Sequence, residues 1–326
     1  TCRSSSWAPW SVSDRSQRSL SRPGDTLALA VAACVLPEAH AATAAAPLPG
    51  MPAWLYWSAV LWLGLCIGSF LNVVVHRLPR MMERQERSWA REALALPAEA
   101  EAAPYNLMVP RSACPGCGHL IRAVENVPVL SWLALRGRCA HCGASISPRY
   151  PVVEALTAML TVLVVALYGH GWTAAWALLF TWALLSAALI DLDHQLLPDV
   201  IVLPLLWLGL LVNVGGTFVP LQEAVIGAAI GYGVLWAIYW AFKLLTGKEG
   251  MGYGDFKLMG AMGAWFGWTV LPQLVLLAAL SGIVGAVLLR ILGRLEGGQP
   301  MPFGPFIAAA GGLVLVLRGA GIALPF

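Results

Sequence analysis

The sequence predicts an all-α integral membrane protein: about eight transmembrane helices and a small cytoplasmic zinc-binding module. Three observations predict it. Hydrophobic residues make up 59% of the 326-residue chain and charged residues 11%, whereas a typical soluble domain carries about 25% charged residues. Seven windows with few or no charges, near residues 53–75, 151–169, 172–190, 200–214, 222–242, 272–289 and 303–318, approach the roughly 20 residues that a bilayer requires. An eighth, 256–271, is Gly-rich and has Lys257 at its start. Third, two Cys-x-x-Cys pairs stand between the first two windows. A net charge of +3 gives no reason to expect a nucleic-acid partner.

Orientation follows from the basic residues, which concentrate on the cytoplasmic side of a membrane protein. Segment 77–150 holds ten of the twenty Lys and Arg residues, so it is placed in the cytoplasm. Alternation then puts 191–199, 243–257 and 290–302 on the same side, and these carry Lys243, Lys248, Lys257, Arg290 and Arg294. The opposite loops, around Tyr168–Trp172 and Gly215–Gln222, contain no Lys or Arg.

The chain divides accordingly. Residues 1–50 are atypical and read as a non-native or disordered extension ahead of Met51. Within them Leu27–Leu36, followed by Ala39-His40-Ala41, loosely resembles a signal peptide's apolar region and cleavage site. Residues 51–76 form the first transmembrane helix, 77–150 the cysteine module and 151–326 a seven-helix membrane domain. The stretch 81–105, rich in Arg, Glu and Ala, reads as a short solvated helix.

Of the cysteines after residue 50, Cys66 lies within the first span and reads as a small buried residue. The other four form Cys114-Pro-Gly-Cys117 and Cys139-Ala-His-Cys142. Each pair can present two thiolates to one tetrahedral ion, and Gly118 and Gly143 suit a tight knuckle after each pair. This is a structural zinc pattern, closed to catalysis because four protein ligands leave no open position. Cytoplasmic placement disfavours the alternative, a pair of disulfides. His119 and His141 are spare ligands, expected to face solvent.

Charged residues beside membrane spans are costly and are functional candidates by default. Two clusters qualify: Asp191-Leu-Asp193-His-Gln-Leu-Leu-Pro198-Asp199 and Gly252-Tyr-Gly254-Asp255-Phe-Lys257. Both fall on the cytoplasmic side. Two carboxylates sharing a water can activate it and protonate a scissile carbonyl, because mutual repulsion keeps one protonated while the other is ionised. Asp191 and Asp255 are the candidates. Asp193 is either the catalytic residue in place of Asp191 or its supporting neighbour. Asp199, after Pro198 and before an apolar run, reads as a helix N-cap. Gly252 and Gly254 allow a substrate backbone to approach closely, and Lys257 is a supporting candidate.

These segments, with Gly68-Ser-Phe-Leu-Asn-Val-Val-Val-His-Arg-Leu-Pro79 and Ser147-Pro-Arg-Tyr-Pro-Val-Val-Glu154, resemble the type IV prepilin peptidases of pilus and type II secretion systems. The resemblance runs from about Met51 to the C-terminus. It implies a bacterial inner-membrane aspartyl endopeptidase with catalytic residues Asp191 and Asp255. Its substrates would be prepilins and pseudopilins, cleaved after Gly at the cytoplasmic face. It also implies N-methylation of the new terminus by S-adenosylmethionine, associated with the cysteine-bearing region. Gly68, Asn72, Arg77 and Glu154 are candidates for the substrate or methyl-donor pocket. Glu154 has the alternative of pairing with an Arg of the loop. A presenilin-like protease shares Gly-x-Gly-Asp but not the cysteine module. A transporter would place its carboxylates nearer the midplane and carry internal repeats.

Overall fold

The computed structural model describes residues 47–97, 104–248, 251–291 and 301–322. The expected extension 1–50 therefore lies almost wholly outside the described residues. All eight apolar windows are helical: α1 (Ala53–Ala93), α3 (Arg149–Tyr168), α4 (Trp172–His194), α5 (Asp199–Val212), α6 (Leu221–Thr246), α7 (Tyr253–Phe266), α8 (Leu271–Ile291) and α9 (Gly304–Gly319). Among its described residues, the segment between α1 and α3 contains one 3₁₀ turn (Ala123–Asn126) and the five-residue α2 (Leu130–Ala134). No strand occurs among the described residues, only two isolated bridges. Helices α1, α3, α4, α6 and α8 are long and apolar enough to cross a bilayer, whereas α5, α7 and α9 are shorter. The chain is a multi-pass membrane protein. Its outer faces expose Trp54, Trp62, Trp207, Leu211 and Ile283, the apolar surface that lipid requires. Cys66 is exposed on this surface and not buried as its position in a span suggested; polarisable, nearly apolar sulfur suits either environment.

The Gly-rich window is the innermost helix. In α7 every residue from Leu258 to Phe266 is buried. Its glycines bring it against α6: Gly231 lies where an added Cβ would stand 2.5 Å from the Met259 carbonyl oxygen, and Gly227 meets Gly263 backbone to backbone. Gly267, which ends α7 at φ +79°, lies against the same residue: its carbonyl carbon would stand 2.8 Å from an added Cβ at Gly227. On the other flank, Gly209 of α5 leaves room for the Trp265 ring, whose Nε1–H donates to the Leu205 carbonyl at 2.8 Å. The same small-residue logic joins α1 to α3, where added Cβ atoms at Gly64 and Gly68 would stand 2.6 Å from the Ala158 and Glu154 Cα atoms. Close backbone approach through small residues drives helix association where lipid removes the hydrophobic incentive.

One end of the bundle is fastened by uncharged carbonyls. Fully buried Asn213 donates to the Ala264 carbonyl at 2.9 Å and accepts from the Phe218 and Val219 amides. Arg318 donates to the carbonyls of Phe218 and Phe266, and Tyr168 to that of Leu315. The other end gathers the termini of α1, α3, α4, α5, α7 and α9 through ion pairs and contacts described below.

Helix α1 does not stop at residue 76. It continues through Pro79 to Ala93, so the solvated helix expected within 81–105 is the same rod as the first span. Arg77 turns back from it, donating to the carbonyls of Asn106 and Leu107, and Arg84 stacks over the Tyr105 ring at 4.2 Å. These contacts tie the returning chain to the rod.

Candidate active site

Asp191 stands in the last turn of α4 and Asp255 in the first turn of α7. Both are buried, at 5% and 6% exposure, and they lie close enough to interact electrostatically. Burying one carboxylate is expensive, and burying two side by side is more so; such an arrangement makes one proton shared between two acids the stable state. Each acid has a backbone donor. The Gly252 amide donates to Asp255, whose own amide donates back to the Gly252 carbonyl at 3.2 Å. The Gly304 amide, at the start of α9, donates to Asp191.

Leu197 spaces these segments. It is buried between α7 and α9: an added Cβ at Gly254 would stand 2.8 Å from its Cβ, and one at Gly304 would stand 3.1 Å from its Cδ atoms and 2.5 Å from Asp191 Oδ2. Gly304 and Leu197 escaped the sequence reading. The available signal was Phe303-Gly304-Pro305, a helix start on the same side as both aspartates, but it carries no titratable group. Gly304→Ala should push Asp191 aside and lower the rate of any reaction that needs both carboxylates by about 10²-fold, the scale of a 1 Å misplacement. Single-turnover rates check this, and an unchanged rate would remove Gly304 from the site.

The other charged candidates brace the pair. Asp193 forms a two-point ion pair with Arg149 of α3, at 2.8 and 2.6 Å. Lys257 binds both oxygens of Asp199, at 2.8 and 2.7 Å. Lys257 thus turns away from the acids and joins α7 to α5. The expected N-cap role of Asp199 is not found. Pro198 occupies the N-cap position with no side-chain cap, and Asp199 is the first helical residue. There its carboxylate still favours the positive end of the helix while reaching Lys257.

The pocket candidates lie apart from the aspartates. Asn72, Arg77 and Glu154 line a cleft of about 640 Å³ between the α1 and α3 ends and the cysteine module. Gly68 sits beneath it, allowing the approach that fixes Glu154. Glu154 is 8% exposed. It accepts from the Val129 amide at 2.7 Å and from the Ser69 hydroxyl, and its hydrogen-bond partners are thus neutral groups rather than an Arg of the loop.

Cys114, Cys117, Cys139 and Cys142 converge, with all four sulfurs within 4.8 Å of one another. Two matched knuckles hold them. The Gly118 amide donates to the Cys114 carbonyl and the Gly143 amide to that of Cys139, with the glycines at φ +70° and +73°. Tetrahedral zinc–thiolate bonds of about 2.3 Å require sulfur–sulfur edges of about 3.8 Å, and Cys114 and Cys142 stand 3.7 Å apart. The cluster is compatible with a structural zinc ion. Amide donors from Cys142 and His141 pull the Cys139 thiol down to about 6. At Cys117 the His119 amide favours the thiolate, yet desolvation and the neighbouring thiols push the group up to about 12. His119 does not face solvent as expected: it bonds Glu125 at 3.1 Å and stacks on His141 at 5.3 Å. The Arg122 amide and then His119 hold the Glu125 carboxyl below the usual carboxylate range.

Comparison with known proteins agrees with this organisation. The family described as "Bacterial Peptidase A24 N-terminal domain" matches residues 62–168, and the "Type IV leader peptidase family" matches residues 178–287. A Pseudomonas aeruginosa protein named prepilin leader peptidase/N-methyltransferase is 57% identical over 255 residues, 78% of this chain and 88% of that protein. Proteins of the same name from Stutzerimonas stutzeri and Aeromonas salmonicida are 56% and 55% identical over 255 and 269 residues, covering 78% and 82% of this chain and 88% and 92% of theirs. No solved structure matches the chain. Since relatives more than half identical run through both the carboxylate-bearing helices and the cysteine module, the chain belongs to the type IV leader peptidase family.

Proposed function

We propose that this chain is a bacterial inner-membrane aspartyl endopeptidase that removes the leader of type IV prepilins and pseudopilins after a Gly at the cytoplasmic face. It then methylates the new N-terminus with S-adenosylmethionine. The observation that carries the peptidase reading is the burial of Asp191 and Asp255 beside each other, from two helices 64 residues apart in sequence. The ionised carboxylate takes a proton from a water positioned between the acids. The protonated one donates to the scissile carbonyl oxygen, and the tetrahedral intermediate then collapses with proton return to the departing amine. Asp193 and Asp199, held by Arg149 and Lys257, fix the helix ends and take no proton.

The clustering of Lys and Arg at this end supports the cytoplasmic assignment. In domain terms, 51–76 supplies the first span, 77–150 the zinc-stabilised module and 151–326 the peptidase helices, with 1–50 outside the working unit. A prepilin fits as substrate by its shape: an apolar helix remains in lipid while a basic leader lies in the cytoplasm.

The test is purified protein with a detergent-solubilised prepilin and S-adenosylmethionine, read by intact-mass spectrometry. Loss of the leader followed by gain of one methyl group is the expected result. An uncut prepilin with folded protein overturns the reading.

A further inference from the structure

We propose that the short helix α2 docks on the bilayer surface. Its Leu130 and Leu133 side chains enter the cytoplasmic leaflet, and Arg136 and Arg138 meet anionic phospholipid headgroups. The leaflet is the cytoplasmic one under the orientation proposed above; the docking itself depends only on the chain spanning a membrane.

Hydrogen bonds to the spans set the depth of α2. Asn72 Nδ2 donates to the Tyr150 carbonyl at 3.1 Å, which brings the first turn of α3 level with position 72 of α1. That position lies four residues, or about 6 Å along the helix, before His76 and Arg77, where the polar stretch of α1 begins. The Val129 amide in turn donates to Glu154, in the second turn of α3, at 2.7 Å. A helical side chain slants toward the N-terminus of its own helix, so the Glu154 carboxylate reaches back to the level of Tyr150 and Val152. Val152 is itself exposed, on a helix that spans the bilayer. Val129 thus stands at the membrane boundary, and α2 begins with the next residue. The φ of +58° at Val129, costly for a β-branched residue, is held by its bond to Glu154.

The two faces of α2 differ. Ser131, Trp132 and, just past the helix, Leu135 line the cleft of the module. Ser131 Oγ–H donates to the Val127 carbonyl at 2.7 Å and Trp132 Nε1–H to that of Ile146 at 3.1 Å. Leu130 and Leu133, three residues apart and therefore on one face, are each 57% exposed. Neighbouring exposed apolar side chains mark a contact with protein or membrane, and the depth of α2 selects the membrane.

Charge agrees with that choice. After α2 the chain turns through Arg136 and Gly137, at φ +50° and +68°, and Arg136 and Arg138 are exposed. Among the described residues no carboxylate pairs with either guanidinium. The turn is rigid: the Ile146 amide donates to the Gly137 carbonyl at 2.7 Å, and the Trp132 ring packs against Gly137. Two arginines are therefore held within a few residues of two leucines. Leucine suits the acyl boundary and a guanidinium binds phosphate through paired N–H donors.

Photo-crosslinking of the full-length chain in nanodiscs of phosphatidylethanolamine and phosphatidylglycerol tests the docking. The chain carries p-benzoylphenylalanine in place of Leu130, Leu133 or Trp89, and adducts are identified by intact-mass spectrometry. Trp89 is the control, comparably exposed but 12 residues beyond Arg77 on α1, about 18 Å further along the rod. Positions 130 and 133 should give phospholipid adducts about fivefold or more above position 89. Phosphatidylglycerol should exceed its share of the disc about threefold in those adducts, and the double variant Arg136→Gln/Arg138→Gln should return it to that share. Adducts at 130 and 133 no more frequent than at 89, or crosslinks to a second copy of the chain in place of lipid, overturn the docking. Phosphatidylglycerol at its plain share with both arginines present overturns the headgroup assignment.

Discussion

Asp191→Asn and Asp255→Asn should each reduce leader cleavage by about 10³-fold or more, whereas Asp193→Asn should cost no more than a few-fold. In the proposed mechanism the first two substitutions remove a group that exchanges a proton with the reacting atoms, and general acid–base contributions are typically 10²–10⁴-fold. Loss of either member disables the pair, so the double variant should be scarcely worse than the single ones. Asp193 is already committed to Arg149 through both oxygens, and an exposed ion pair of this kind contributes about 0–1 kcal/mol. Single-turnover cleavage of a fluorescent prepilin, with folding verified by thermal unfolding, separates the cases. Cleavage lost in Asp193→Asn and kept in Asp191→Asn would move the chemistry two residues along α4.

The second large effect concerns the cysteines. Cys139→Ser should abolish zinc binding and open the 105–148 segment to proteolysis, while the membrane helices persist. Structural zinc contributes apparent binding free energies of about 10–16 kcal/mol, far more than the few buried residues of this segment supply. Among the module's residues, Cys114, Pro128 and Gly137 are buried, whereas Leu120, Val124, Leu130 and Leu133 are exposed. Metal analysis combined with limited trypsin digestion measures both consequences. Wild-type protein free of zinc, or a variant as protease-resistant as wild type, would contradict the assignment.

The features legible in the sequence were those with local causes. Apolar windows lack alternatives to helix in a bilayer, so all eight formed. The Cys-x-x-Cys spacing fixes knuckle geometry within four residues. What the sequence did not reveal depended on partners far along the chain. Asp199 looked like a cap because its neighbours suited one, but Lys257, 58 residues on, took its carboxylate. His119 was expected to face water, and Glu125 with His141 removed that exposure. Gly304 acquires its role only when α9 is set against α4. The continuity of α1 past residue 76 was missed for another reason: the helix changes from a lipid-facing to a charged composition without changing conformation, because Arg, Glu and Ala are good helix formers.

That uninterrupted α1 is also a ruler. At 1.5 Å per residue its 41 residues span about 60 Å, twice the hydrocarbon thickness of a bilayer. Inserting one residue after Gly68 would turn everything beyond it by about 100° and advance it by about 1.5 Å. Arg77 and Arg84, which occupy one face two turns apart, would then point away from Tyr105. Drift along this rod is therefore free to change letters on its lipid side but not to add or remove any. Length variation among functional descendants of this chain is expected beyond Ala93, where the helix has ended.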